Sequence, residues 1–365
     1  MEAYFDNSAT TRAFDCVRDV VVKTMTEDYG NAAAKHAMGV KAEQYIREAR
    51  EVIAKTLKAQ EKEIVFTSGG SESNNMALIG AAMANRRRGN HIITTNVEHS
   101  SVYNTLGFLE ELGFEITYLP VDGQGRIRLE ELRDSLRPDT ILASVMYVNN
   151  EVGAVEPVEE IGRLIKENHP GILFHVDAIQ AYGKYNIHPG RQNIDLMSVS
   201  GHKLHGPKGV GFLYIRDKVR VKPLIYGGGQ QAGMRSGTEN VPGVAGLGAA
   251  VREVYKNHRE KVDALYGLKD HLMTRIREID GCVVNSRPGR ESAPQIVSIS
   301  FEGVRSEVLL HALEEREIYV SSGSACSSSH PGVSGTLKGI GVRPDLLDAT
   351  LRFSFGLFNK KEEID

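Results

Sequence analysis

Apolar residues near the start of the chain recur at three- and four-residue steps. Ala42, Tyr45, Ile46, Ala49, Val52, Ile53 and Leu57 form one stripe, the period of an amphipathic helix laid against a core. The period then changes. Short β-branched runs at residues 63–67, 91–96, 115–119, 141–148, 172–176, 196–199 and 211–215 are in several cases apolar on both faces, as strands buried in a parallel sheet are. Helix-like segments separate most of them, for example residues 156–168. Strands alternating with helices predict an α/β domain with helices on both faces of the sheet.

Past Val241 the pattern shifts again. Leu265, Leu268, Leu272, Ile276 and Ile279 mark a long helix, with Gly281 as its C-cap. Residues 295–301 and 351–354 read as strands around a helix at 306–315, which predicts a smaller α+β domain. The expected organisation is an arm at residues 1–15 joining the small domain, a large domain at 16–250 and a small one at 251–365. Residues 321–335 are rich in Ser and Gly, the composition of a linker, but they carry Cys326.

Composition narrows the function. At 365 residues the chain exceeds what one core usually serves. With 44 basic and 47 acidic residues it carries no block of charge. Arg86-Arg87-Arg88 reads as a solvated helix end, so a small ligand is expected rather than nucleic acid. Cys16, Cys282 and Cys326 are too far apart to suggest a metal site or a disulfide framework. The opening Met1-Glu2-Ala3-Tyr4-Phe5-Asp6 is polar and acidic, unlike a signal peptide. No uncharged stretch approaches the ~20 residues of a membrane span. A reducing cytoplasm, with no membrane partner, is the expected setting.

Three segments carry candidate chemistry. Thr67-Ser68-Gly69-Gly70-Ser71-Glu72-Ser73-Asn74-Asn75 leaves a strand, turns through two glycines and enters a helix. Backbone N–H groups at such a helix start bind phosphate, although Ser and Gly also cap helices generally. In Phe174-His175-Val176-Asp177 a carboxylate ends an apolar strand. It either caps the next helix or meets a cation, because a buried unpaired charge is costly. In Ser200-Gly201-His202-Lys203 a lysine follows a strand and a tight turn inside an apolar segment. A desolvated lysine has a lowered pKa and can form a Schiff base. Together the three suggest pyridoxal 5'-phosphate. The dinucleotide glycine fingerprint, the P-loop and the His-Glu-x-x-His zinc motif are absent.

On these segments the chain resembles the cysteine desulfurases of the NifS/IscS type, in the class V aminotransferase group of pyridoxal enzymes. The likeness covers nearly the whole chain. It also rests on Tyr4–Thr11, Glu98-His99, Val148-Asn149-Asn150-Glu151-Val152-Gly153 and His175–Gln180. Further on it includes Gly227-Gly228-Gly229-Gln230, Arg235–Asn240, Ser321–Ser327 and Arg352-Phe353-Ser354. The implied fold is type I, aspartate-aminotransferase-like: three layers around a mainly parallel sheet, with a smaller α+β C-terminal domain.

The resemblance implies roles. Lys203 would bond to the cofactor and shuttle the Cα proton, and Asp177 would pair with the pyridinium nitrogen. Gln180 would reach the ring hydroxyl, and His99 would stack on the ring and assist proton transfer. Gly70, Ser71, Ser200, Gly201 and His202 would hold the phosphate, with Thr238 reaching it from a second subunit of a homodimer. Arg352 would clamp the carboxylate of L-cysteine beside Asn150. Cys326 as thiolate would take the sulfur as a persulfide, leaving L-alanine, and pass it to a sulfur-acceptor protein for iron–sulfur cluster or tRNA-thiolation pathways. No metal site is implied.

Other readings stay open on the residues alone. The Ser/Gly-rich setting of Cys326 lacks the apolar neighbours of a buried thiol, whereas Cys16 and Cys282 lie in patterned segments and read as core. Arg352 could serve a structural ion pair, and His99 a helix cap. A selenocysteine lyase, another class V enzyme that does not use Cys326, or a catalytically weak scaffold paralogue are the alternatives. The chain departs from the family at Ala32-Ala33-Ala34, where Pro-Ser-Ser is usual, which puts the fit of that segment over the active site in question. It departs also at Gln231-Ala232 and Leu357, and it ends at Asp365 where relatives continue into a helix. An exposed face on the small domain is expected there.

Overall fold

The computed structural model describes residues 2–322 and 334–365. After a short first strand, β1 (Ala3–Tyr4), come the strands of one large sheet. They are β2 (Ile64–Thr67), β3 (His91–Thr95), β4 (Glu115–Leu119) and β5 (Thr140–Met146), followed by β6 (Leu173–Asp177), β7 (Leu196–Ser200) and β8 (Gly211–Ile215). Their order is β2-β8-β7-β6-β5-β3-β4. β8 is antiparallel to both neighbours, and the other pairs are parallel. The double-sided apolar runs therefore mark a sheet covered on both faces.

Successive side chains on a strand point to opposite faces, and the core divides accordingly. Ile64, Phe66, Ile93, Ala143, Val145, Phe174, Val176, Met197, Val199, Phe212 and Tyr214 join one cluster. It is closed by α1 (Asp15–Thr26), α2 (Ala37–Leu57), α5 (Leu129–Ser135), α6 (Val158–Asn168) and α7 (Val241–Tyr255). Val65, Ile92, Leu142, Leu196 and Leu213 join the other, under α3 (Gly70–Asn85) and α4 (Ser100–Glu111). Helix starts are set by side chains: His36 accepts from Gly39 N, and Asn240 accepts from Gly243 N with Pro242 in the first turn.

The second, smaller sheet is antiparallel, in the order β12-β13-β10-β9. Its strands are β9 (Cys282–Val284), β10 (Ile296–Phe301), β12 (Ser321–Ser322) and β13 (Thr350–Ser354). Leu265, Leu268 and Leu272 of α8 (His258–Arg275) pack on Val297, Ile299, Leu351 and Phe353. Helix α9 (Ser306–Glu314) adds Leu309 and Leu310. β1 lies parallel to β11 (Ile318–Tyr319), and Asp6 bridges Ser354. The first residues of the chain thus run beside the C-terminal ones.

Three expectations need correction. The long helix does not run to Gly281: α8 gives way to a 3₁₀ turn at Ile276–Glu278. Gly281, at φ 77°, instead turns the chain into β9, a strand the apolar pattern did not reveal. Cys16 is not core but exposed on α1. Cys282 is only partly buried, against the small-sheet cluster.

The departures from the family pattern are accommodated locally. At Ala32–Ala34, Asn31 Oδ1 accepts from Ala33 N at 2.9 Å. Gln231 is buried: its Oε1 accepts from Phe66 N at 3.0 Å, and its Nε2 donates to both Glu239 oxygens. Among the described residues, no helix is long and apolar enough to cross a membrane.

His175 on β6 is fully buried between the hydroxyls of Ser144 (2.8 Å) and Ser198 (3.0 Å). Burial pushes its pKa down to about 3. The unfolded chain therefore takes up a proton below about pH 6.5 that the folded chain refuses. Stability from this residue is present above that pH and is lost as pH falls towards 3. Between pH 7 and 4.5 the loss is about 2–3 kcal/mol. Urea unfolding at the two pH values, compared with His175→Asn, should show that extra loss only in the parent chain.

Candidate active site

The parity that sorts the core also builds the site. His175, Ser144 and Ser198 lie on the α3 side of the sheet with Leu196 and Leu213. Two residues further along, at the carboxyl ends of the strands, the same face presents Asp177, Met146 and Ser200. Open α/β sheets bind ligands at that edge. A cavity of about 250 Å³ opens there, lined in part by these three residues.

At one end the chain leaves β2 and enters α3 through Gly69, at φ 146°, a conformation that glycine permits. Gly70 is pressed against neighbouring strand ends, since a Cβ there would stand 2.3 Å from Ile179 Cδ1. The first-turn N–H groups of α3 have no intrahelical acceptors, and Gly70 and Ser71 line the cavity with Ser200 and His202. Burial and the charges of Lys203, Lys208 and Lys184 push His202 down to about 4, so its ring is neutral at neutral pH.

Asp177 is buried at the cavity floor. Ile179 N donates to its Oδ1 at 3.0 Å and Asn74 Nδ2 to its Oδ2 at 2.8 Å. Burial raises its pKa, opposed by those two bonds and by the charges of His99 and Lys203. Lys203 Nζ donates to the carbonyls of Ser8 and Ala9, so the first residues of the chain hold it. Gln180 Nε2 also donates to Ser8 O, at 3.0 Å. His99 caps α4: Ser101 N donates to its Nδ1 at 3.1 Å.

Arg352, on β13 of the small sheet, reaches the same cavity. It is buried, with Nη1 donating to Asn150 O and Nη2 to Asp6 Oδ1, each at 2.9 Å. Among the described residues its buried Nε finds no partner, and neither do Ser8 Oγ and Asn74 Oδ1. Buried polar atoms rarely stay unpaired, so a polar guest is indicated.

Ten residues singled out by the sequence therefore line one cavity: Gly70, Ser71, His99, Asn150, Asp177, Gln180, Ser200, His202, Lys203 and Arg352. Gly201 does not line it; its N–H is committed to Val210 O at 2.9 Å. Thr238 is exposed on a loop and does not line the cavity of its own chain. Nor do Ala32, Ala33 and Ala34. Cys326 lies outside the described residues. The His99 cap and the Arg352 ion pair exist alongside their places in the cavity.

Sequence reasoning missed Asn74, Ser8 and Glu98. Asn74 lies one helical turn beyond Gly70, and that spacing was the available signal for it. Glu98 Oε1 accepts from Thr95 Oγ1 at 2.7 Å and from Met146 N at 2.9 Å, but Oε2 is buried and unpartnered among the described residues. Burial pushes this carboxyl up to about 8.

The donor set fits pyridoxal phosphate. Helix-start N–H groups suit the phosphate, a buried carboxylate suits a protonated ring nitrogen, and a strand-end lysine suits the aldehyde. Fold and site define a pyridoxal-phosphate enzyme of the three-layer α/β type. The model of the aminotransferase class-V family matches residues 3–365, and the chain belongs to that family. Its cofactor is pyridoxal 5'-phosphate.

The chain is 44% identical to "Cysteine desulfurase IscS" of Methanosarcina thermophila over 362 residues, 99% of this chain and 89% of that protein. A solved "NifS-like protein" superposes with TM-score 0.94 at 38% identity, covering 100% of this chain and 96% of that one. "SspA in complex with cysteine" superposes with TM-score 0.86 at 36% identity, covering 98% and 100%.

Because the raised pKa of Glu98 keeps it protonated, Glu98→Gln mimics its neutral form. The stability it supplies is complete below its unfolded pKa and is lost as pH rises through about 8. Thermal unfolding should find parent and variant alike near pH 4, with the variant gaining on the parent progressively from there to pH 9.

Proposed function

We propose that this chain is a cysteine desulfurase, which transfers the sulfur of L-cysteine to Cys326 as a persulfide and releases L-alanine. The observation that carries this reading is that Arg352, whose buried Nε has no partner among the described residues, lines the same cavity as Lys203 and Asp177. A guanidinium fork for a carboxylate, an amine attachment point and a buried acid together suit an α-amino acid. The relatives named above supply the sulfur chemistry.

Pyridoxal phosphate, when bound, supplies an electron sink for charge left at the substrate Cα. Lys203 would hold the cofactor through its amine and would move the Cα proton of the substrate. Asp177 would hold a proton on the ring nitrogen, and Gln180 and His99 would contact the ring. Gly70, Ser71, Ser200 and His202 would cradle the phosphate, completed by the partner subunit's Thr238 in a homodimer. Arg352 and Asn150 orient the carboxylate of cysteine. The thiolate of Cys326 attacks the substrate sulfur: an S–S bond forms, the C–S bond breaks, and its electron pair takes a proton to complete the methyl group of alanine. A sulfur-acceptor protein of an iron–sulfur cluster or tRNA-thiolation pathway then relieves Cys326, in the cytoplasm.

The test is to add L-cysteine to the purified protein and assay alanine and sulfide together. Alanine should form in proportion to cysteine consumed. No alanine, or alanine made at full rate by Cys326→Ala without added thiol, would sink the persulfide route. Lys203→Ala should lose the yellow absorbance and the activity. Arg352→Ala should lose about 10–100-fold in kcat/KM, as removal of a charged hydrogen-bonding partner does.

A further inference from the structure

Lys184 has no part in the reaction described above, yet it touches its central residue. Its Nζ donates to the main-chain carbonyl of Lys203 at 2.6 Å. The two line a second, small cavity of about 20 Å³, together with Gln180 and His205. Lys184 sits on the turn that begins at the cofactor-facing strand end: Ala181 N donates to Ala178 O, and Lys184 N to Ala181 O. That turn carries Gln180, so one ammonium ties the Asp177–Gln180 segment to the backbone of Lys203.

The titratable groups around Lys184 are lysines and histidines. Lys203, His202 and His205 face Lys184 from the turn after β7, and His258 and Lys261 face it from α8. Lys261 is itself paired with Glu253 at 3.0 Å. Among the described residues no carboxylate pairs with Lys184. Burial first, then the charge of Lys203, push Lys184 down to about 7. Charge repulsion is mutual, so protonated Lys184 disfavours a proton on Lys203.

We infer that Lys184 is a positioning residue: it fixes the main chain of Lys203 through its carbonyl and biases the Lys203 nitrogen towards its neutral form through its charge. This rests on the proposed role of Lys203. The absence of a counter-ion among the described residues follows from that task, because a carboxylate beside Lys184 would cancel the field it imposes.

The experiment is a pH titration of the yellow absorbance of the cofactor-loaded protein, in the parent, Lys184→Met, Lys184→Gln and Lys184→Arg. Removing the charge raises the midpoint by about one pH unit in the Met and Gln variants, while Arg stays close to the parent. In Lys184→Met, kcat falls roughly tenfold with KM little changed, the pattern of a misplaced group rather than weakened binding. The Gln variant keeps a donor without the charge, so it reports on the field even if the Met variant does not fold. An unmoved midpoint in both uncharged variants, with stability alone reduced, would overturn the inference. Retained yellow absorbance in Lys203→Ala would instead overturn the role of Lys203, so the two failures are distinguishable.

Discussion

A carboxylate buried at the end of a central strand is the constraint on which this site turns. Asp177 takes two hydrogen bonds, from Asn74 and from the backbone of Ile179, and among the described residues no side chain forms an ion pair with it. Its ionised form needs a positive partner inside the cavity. The fold aims three elements at that need: the start of α3, the turn after β7 with Lys203, and the first residues of the chain that hold Lys203. A pyridinium nitrogen answers it, and the belonging of the chain to a pyridoxal family agrees with that answer.

Two packing decisions make the arrangement possible. Strand parity places Asp177, Ser200 and Met146 on one face at one edge, directly above the polar stack of Ser144, His175 and Ser198. The small sheet then brings Arg352 across from the C-terminal part of the chain, with Asp6 and Asn150 holding the guanidinium from two other elements. The cavity is thus walled by segments far apart in sequence, and each fixes a group that the others need.

Much of this was legible in the sequence because the signals are local. Double-sided apolar runs gave the large sheet, and loop chemistry beside strand ends marked Gly70, Asp177 and Lys203. What was not legible is non-local or ambiguous. β9 and β1 are short strands whose pairing depends on partners elsewhere, and Gly281 serves a turn where a helix cap was equally plausible. Cys16 is exposed because it lies beside, not on, the stripe of α1 that Val17 and Thr24 bury. Glu98 and Lys184 carry their meaning in burial and in the charge around them, which no spacing encodes.

The central claim, that the cavity is built to attach its cofactor through Lys203, has a direct measurement. Borohydride reduction of the yellow protein, followed by proteolysis and mass spectrometry, locates the covalently fixed cofactor. A single adduct on Lys203 is the predicted result. An adduct on Lys184, Lys208 or any other lysine, with Lys203 unmodified, would contradict the account.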